Sequence, residues 1–315
     1  MWNPLVTVII PTYNRRKWIG ECLDSIEAQS YPHVETLIID DCSNDGTIEW
    51  LRSEPRYAFA QSHVQERNGG ASEARNVGIR MARGELIAFI DSDDVLAPEH
   101  LETAVEIFRQ HSNVGLFCCD STLIGPDGEL LYEGRTWHQI QSDIKHYAVK
   151  SGRRDLRDIF LFSNCFPGFT LRREVFDHIG FFDQGIFPLD DYDLALRVAG
   201  SDYAVYYYHQ PLCLRREHLG QCSGAANAIR VGHETIRALR LALQRNPELY
   251  AAMGHSAVRR RLAAIRLEMA VSRIYAGDRT GGLKTMMQAV ASDPQQLLQV
   301  VRLGGRRMQR LMASN

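Results

Sequence analysis

From Val6 to Phe108, short β-branched runs alternate with stretches of helical periodicity, and the runs stop at clusters of polar residues. Val6–Ile10 is halted by Pro11, and the spacing of Trp18, Ile19, Cys22, Leu23 and Ile26 predicts a helix capped by Asn14. Val34–Ile39 runs into Asp40 and Asp41, followed by turn chemistry at Ser43–Gly46 and a short helix over Thr47–Leu51. A weaker strand is expected within Tyr57–Val64, then a loop at Asn68–Gly70 and a helix over Ala71–Ala82 closed by Gly84. Glu85–Ile90 runs into Asp91, Ser92, Asp93 and Asp94, and Pro98 suits the first turn of a helix carrying Leu101, Val105, Ile107 and Phe108. Strands alternating with helices in this way build a mostly parallel α/β sheet flanked by helices. Ligands of such sheets sit at the carboxyl ends of the strands, where these polar clusters fall.

Further along, Val114–Leu123 and Tyr203–Tyr208 have strand character, Gly125–Gly128 is a turn, and Arg172–Ile179 and Asp191–Ala199 have helical character. Near residues 223–228 the pattern becomes wholly helical, through Ala225–Leu243, His255–Tyr275 and Gly282–Ala291. A length of 315 residues suits one large domain with an appendage, expected here as residues 1–225 and 226–315.

The fully apolar Leu86–Ile90 delivers three carboxylates to one place, and strand alternation puts Asp91 and Asp93 on one side. Carboxylates crowded like this repel unless a cation or a donor-rich ligand neutralises them. Their hard oxygens suit Mg²⁺ or Mn²⁺, ions that bridge diphosphate oxygens. A solvated acidic turn ahead of the Pro98 helix accounts for the same residues equally well.

Composition narrows the field. A 45% apolar and 23% charged chain is ordinary for a globular protein, and a net charge of −2 supplies no global field for gripping nucleic acid. Seven cysteines without C-x-x-C spacing disfavour a zinc ribbon or a secreted disulfide framework. Neither a signal peptide nor an apolar run of spanning length is visible, so a cytoplasmic location is expected, with attachment to the inner face of a membrane left open.

Four blocks then agree in order: Pro11-Thr12-Tyr13-Asn14, Asp40–Thr47, Asn68–Gly78 and Asp91–Asp94. Over roughly residues 5–220 this set resembles the family 2 glycosyltransferases, which have the GT-A fold. The resemblance implies transfer of a sugar, with inversion, from a nucleotide-diphosphate sugar to the hydroxyl of a saccharide or glycolipid acceptor, in surface polysaccharide or glycolipid synthesis. A UDP-sugar is the favoured donor and no nucleic acid is involved. Pro11, Thr12, Tyr13 and Asn14 with Asp40 and Asp41 would cradle the nucleoside, Tyr13 offering an aromatic face and Asp40 accepting from the base. Asp41 would also order its turn with Ser43 and Thr47. Arg75 would sit near the donor phosphates or Asp93. Asp91, Asp93 and Asp94, joined by His218, would hold Mn²⁺ or Mg²⁺, and Arg216 would hold phosphate. Asp191 matches the family's general base and could also cap the helix it opens, while Asp190 stands where glutamate is usual. Ser163–Phe169 is expected near the acceptor, with Gly168 allowing close backbone approach.

Within residues 226–315, Tyr275–Arg279 followed by Ala289 and Asp293-Pro294 partly resembles, over about 35 residues, one tetratricopeptide-like helix pair, and Leu297–Met312 mixes apolar residues with Arg302, Arg306, Arg307 and Arg310. That mixture permits a peripheral membrane contact or a homodimer face. Two rival readings share these features: a catalytically silent nucleotide-sugar-binding module, and a nucleotidyltransferase of similar fold. The second should show a glycine-rich basic loop after the first strand, which Pro11–Arg16 is not, and the chain also lacks dinucleotide and P-loop fingerprints.

Overall fold

The computed structural model describes residues 2–140, 150–162, 168–218, 220 and 227–295. The chain divides into two compact units, Met1–Leu219 and Gly220–Asn315. The boundary expected at 225/226, Ser163–Pro167 and the Leu297–Met312 stretch lie outside the described residues.

In the first unit the elements follow in the order β1 (Val6–Thr12), α1 (Ile19–Glu27), β2 (Val34–Asp40), α2 (Thr47–Ser53), β3 (Ala60–Val64), α3 (Ala71–Met81) and β4 (Leu86–Phe89). They continue with β5 (Val95–Leu96), α4 (His100–Gln110), β6 (Val114–Ile124), β7 (Gly152–Arg154), α5 (Leu156–Phe162), β8 (Thr170–Arg172), α6 (Val175–Ile179), α7 (Asp190–Ala199) and β9 (Ala204–Arg216). The strands form one mixed, mostly parallel sheet in the order β3-β2-β1-β4-β8-β6-β9-β5, with β7 on β9. Every residue of β1 is buried, because parallel neighbours flank it and helices cover its faces. The apolar stripe of α1, Ile19, Cys22, Leu23 and Ile26, closes one face. On α3, a Cβ at Gly78 would stand 2.5 Å from Ile9 Cγ2, so only glycine lets that helix approach β1 so closely.

Register brings the site together. Thr12 pairs with Asp40, and Val6 is level with both Val34 and Leu86, so β1, β2 and β4 end along one edge. The first three strands and their helices match the sequence pattern; four departures have local causes. Asn14 does not cap α1, which starts at Ile19; it adopts φ 54°, and its side-chain carbonyl accepts from the Asn44 N–H (2.8 Å). Pro98 stands two residues ahead of α4, its carbonyl accepting from the Ser30 N–H at 2.9 Å. The expected Arg172–Ile179 helix is a strand and then a short helix. Leu171 fits a buried slot between β4 and β6, and the Arg172 guanidinium donates to the carbonyls of Phe108 (2.7 Å) and Val114 (2.9 Å). β9 runs past Pro211 to Arg216, because Pro211 falls at a register shift opposite Asp120.

The second unit contains α8 (Ala228–Arg245), α9 (Pro247–Met253), α10 (His255–Tyr275) and α11 (Arg279–Ser292). α11 folds back along α10: Gly282 lies against Ala270 and Ile274, and Arg260 reaches Asp293 at 3.9 Å. Among the described residues no helix is long and apolar enough to cross a membrane.

Candidate active site

The loop after β4 is a tight turn, closed by the Asp94 N–H on the Asp91 carbonyl at 3.0 Å. It gathers Asp91, Asp93 and Asp94 so that one oxygen from each lies within 4.8 Å of the others. Each carboxylate gives one oxygen to a protein donor and keeps a second to offer. Asp91 Oδ1 accepts from Arg75 (2.7 Å), Asp93 Oδ2 from Arg15 Nε (3.0 Å) and His218 (2.9 Å), and Asp94 Oδ1 from the Arg216 N–H (2.8 Å). Burial, then the neighbouring Asp93 and Asp91 charges, push the Asp94 carboxyl well above the usual range. Burial opposes ionisation of Asp93 too, but the hydrogen bond from His218 and the charge of Arg15 outweigh it and lower that carboxyl. A cluster of hard oxygens with one member forced against ionisation fits a divalent cation.

Beside it, the ends of β1 and β2 are cross-tied. The Asp41 N–H donates to the Thr12 carbonyl (2.8 Å), and the Asn14 N–H donates to Ser43 Oγ (2.8 Å). Pro11 and Thr12 are buried and Tyr13 is 44% exposed, its ring open to a ligand. Asp40 is fully buried; Oδ2 accepts from the Ser43 N–H at 2.9 Å, while Oδ1 has no hydrogen-bond partner. A buried carboxylate oxygen left without a donor costs on the order of 1–3 kcal/mol, and a ligand N–H would recover it. Asp41 orders a different segment from the one expected. Its oxygens accept from Gln65 Nε2 (2.6 Å) and the N–H groups of Gly69 and Gly70 (2.7 Å each), whereas Ser43 and Thr47 serve Asn14 and Asp45. Asp41 is thus a fastener of the 65–70 loop.

Arg75 joins the acidic loop to the start of α7. From α3 its buried guanidinium reaches Asp91 Oδ1 and Asp190 Oδ2, both at 2.7 Å, and Ser72 Oγ donates to the same Asp190 oxygen at 2.8 Å. Its counter-charge is carboxylate, and Asp93 is not a partner. Asp190 is thereby held as a structural anion, which its short arm suits. Asp191 follows, partly buried, with Oδ1 accepting from the Tyr192 N–H at 2.7 Å. Leu189 occupies the cap position of α7 without a side-chain bond, so Asp191 is not its N-cap. Burial, and after it the adjacent Asp190 charge, push the Asp191 pKa up to about 7.

Arg216 departs from expectation. It is fully buried, its guanidinium donating to Glu21 (2.6 Å) and to the carbonyls of Asp93 (2.9 Å), Gly125 (3.1 Å) and Pro126 (3.3 Å). It clamps the acidic loop from below instead of presenting a phosphate-binding fork. His218 does reach the acidic loop, through Asp93, with its ring 4.4 Å from that of Trp18. Gly168 has φ 56°, and a Cβ there would meet Leu96 Cδ2 at 2.9 Å, so packing as well as backbone conformation requires glycine. Arg15, Glu21 and Trp18 escaped the sequence reading; only the position of Arg15 directly after the Pro11–Asn14 block could have signalled it.

A mixed, mostly parallel sheet with an acidic loop at the carboxyl ends of its first strands is the arrangement of the GT-A class of folds. The comparisons make it specific: the chain belongs to glycosyl transferase family 2, whose model matches residues 7–180. The putative teichuronic acid biosynthesis glycosyltransferase TuaG of Bacillus subtilis is 42% identical over 113 residues, 35% of this chain and 44% of that one, so less than half of that relative is spanned. The structure of Staphylococcus aureus TarS residues 1–349 in complex with UDP-GlcNAc is similar, with a TM-score of 0.53 at 19% identity over 92% of each chain. A mannosyltransferase from Pyrobaculum calidifontis, solved with GDP-Man and Mn²⁺, gives a TM-score of 0.55 at 22% identity, covering 95% of this chain and 88% of that one.

Proposed function

We propose that the protein transfers a sugar from a UDP-sugar to the hydroxyl of a saccharide or glycolipid acceptor, inverting the anomeric centre, in synthesis of a surface polysaccharide or glycolipid. The observation that carries this reading is the Arg75 bridge, which holds the acidic loop and the start of α7 in one rigid unit. The similarity to TuaG supports the polysaccharide role, and the UDP-GlcNAc complex of TarS supports the donor class. The chemistry is assigned to residues 1–225, with 226–315 as a helical appendage.

In this reading Asp40 Oδ1 accepts the ring N–H of uracil, and the exposed Tyr13 ring covers the base, with Pro11, Thr12 and Asn14 shaping the pocket floor. Asp91, Asp93 and Asp94 would hold Mn²⁺ or Mg²⁺, which supplies positive charge to the diphosphate leaving group. His218 orients Asp93 from behind. Asp191 keeps Oδ1 on the Tyr192 amide and uses Oδ2 to take the proton of the acceptor hydroxyl as its oxygen bonds to the anomeric carbon and the bond to diphosphate breaks. A base whose pKa is pushed up to about 7 is about half ionised near neutral pH and takes a proton readily.

A thermal-shift panel of nucleotide sugars with and without Mn²⁺ tests the proposal. Protection by a UDP-sugar that depends on Mn²⁺ and disappears in Asp93→Ala is expected; a panel in which metal changes nothing for any donor overturns it.

A further inference from the structure

The two units carry opposite charge. Met1–Leu219 holds 21 Lys and Arg against 33 Asp and Glu, a net −12, whereas Gly220–Asn315 holds 15 against 5, a net +10. The near-neutral total of −2 conceals this partition. Charge segregated on that scale governs what a surface associates with, since neither core requires it.

In the helical unit Arg237, Arg260 and Arg273 pair with Glu234, Asp293 and Asp278, whereas a second set of cations has no ion pair among the described residues. Neither Arg240 on α8 nor Arg266 on α10 has an ion pair or side-chain hydrogen bond among the described residues. Burial first, and then Arg240, hold Arg266 below the usual arginine value. On α11, Arg279, Leu283 and Met287 recur every four residues and share one face, with Lys284 adjoining. Leu283 is 56% and Met287 67% exposed, while Gly282 and Ala289 of the same helix are buried. Arg279 and Lys284 likewise have no ion pair among the described residues, and α11 contains no acidic residue. A soluble polyanion would engage the cations and gain nothing from two bare aliphatic side chains. An anionic bilayer interface takes both, the headgroup phosphates meeting the cations and the apolar side chains entering the acyl boundary.

We propose that the α11 stripe of Arg279, Leu283, Lys284 and Met287 docks this protein on a bilayer rich in anionic phospholipid, with the net positive charge of its unit drawing it there. The proposal is independent of the donor chemistry, so the two stand or fall separately.

Co-sedimentation of the full chain with phosphatidylcholine vesicles, with and without about 30% phosphatidylglycerol, tests it. Binding to the anionic vesicles alone is expected, weakening as salt is raised. R279E/K284E should lower the partition coefficient tenfold or more, and L283S/M287S several-fold, with thermal midpoints at the wild-type value because these side chains are exposed. If R279E/K284E fails to fold, K284E alone carries the same test. Equal binding to neutral and anionic vesicles, binding to neither, or binding undiminished by these substitutions overturns the proposal. Capture by dextran sulfate without vesicle binding overturns it in favour of a soluble polyanion. Self-association removed by L283S/M287S, without vesicle binding, overturns it in favour of a second copy of the chain.

Discussion

Particular arginines of the two units are put to opposite uses. In the first unit three arginines are enclosed and matched: Arg75 between Asp190 and Asp91, Arg216 between Glu21 and three carbonyls, Arg197 on Asp193 at 2.8 Å. In the helical unit Arg240, Arg259, Arg266 and Arg279 have no acidic partner among the described residues. Matched and buried, a guanidinium fixes the distance between elements; unmatched and open, it attracts something outside the molecule.

The sharpest way to break this contrast is to remove one arginine from each unit. Arg75→Met should cost about 3–5 kcal/mol in denaturant unfolding, because it strands the buried Asp190 charge. Arg240→Ala should cost less than about 0.5 kcal/mol by the same measurement. Similar losses at the two positions would erase the distinction. Next in size, Asp191→Asn should slow transfer by about 10² or more while donor protection in thermal shift is retained; near-normal turnover would remove Asp191 from its role.

The pH dependence gives a finer test. Asp191 must be ionised to accept a proton, so transfer should decline as pH falls through about 7. Its effect on folding has the opposite sign. A carboxyl raised from an unfolded value of about 3.9 favours the protonated fold, so its stabilisation is complete below that value and is lost as pH rises through about 7. The metal-free Asp191→Asn protein should therefore melt a few degrees above wild type at pH 8 and lose that advantage near pH 4. An unchanged melting difference across that range would show that burial does not strain this carboxylate. Smallest of all, Asp41→Asn should loosen the 65–70 loop, seen as faster amide exchange at Gly69 and Gly70, because a neutral amide accepts more weakly than the carboxylate it replaces.

What was legible in the sequence followed from periodicity. Runs such as Leu37–Ile39 and Leu86–Ile90 are apolar throughout because both faces of a parallel sheet are covered, and polar clusters at their ends locate the site without tertiary knowledge. The antiparallel insertions were hidden, since Thr170–Arg172 is too short for a period and Pro211 interrupts β9. Individual roles at the site were hidden for another reason. An arginine near an expected phosphate looks the same in sequence whether it faces the ligand or, like Arg216, is buried beneath the loop. Asn14 looked like a cap because nothing local reveals that its carbonyl reaches across to Asn44.

Gly78 sits three residues, nearly one helical turn, after Arg75, where α3 presses on Ile9. With no room there for even a methyl group, the guanidinium is held at a height set by the α3 main chain resting directly on the Ile9 side chain. In the proposed reaction this strut would serve as a fixed gauge between the leaving group and the incoming hydroxyl.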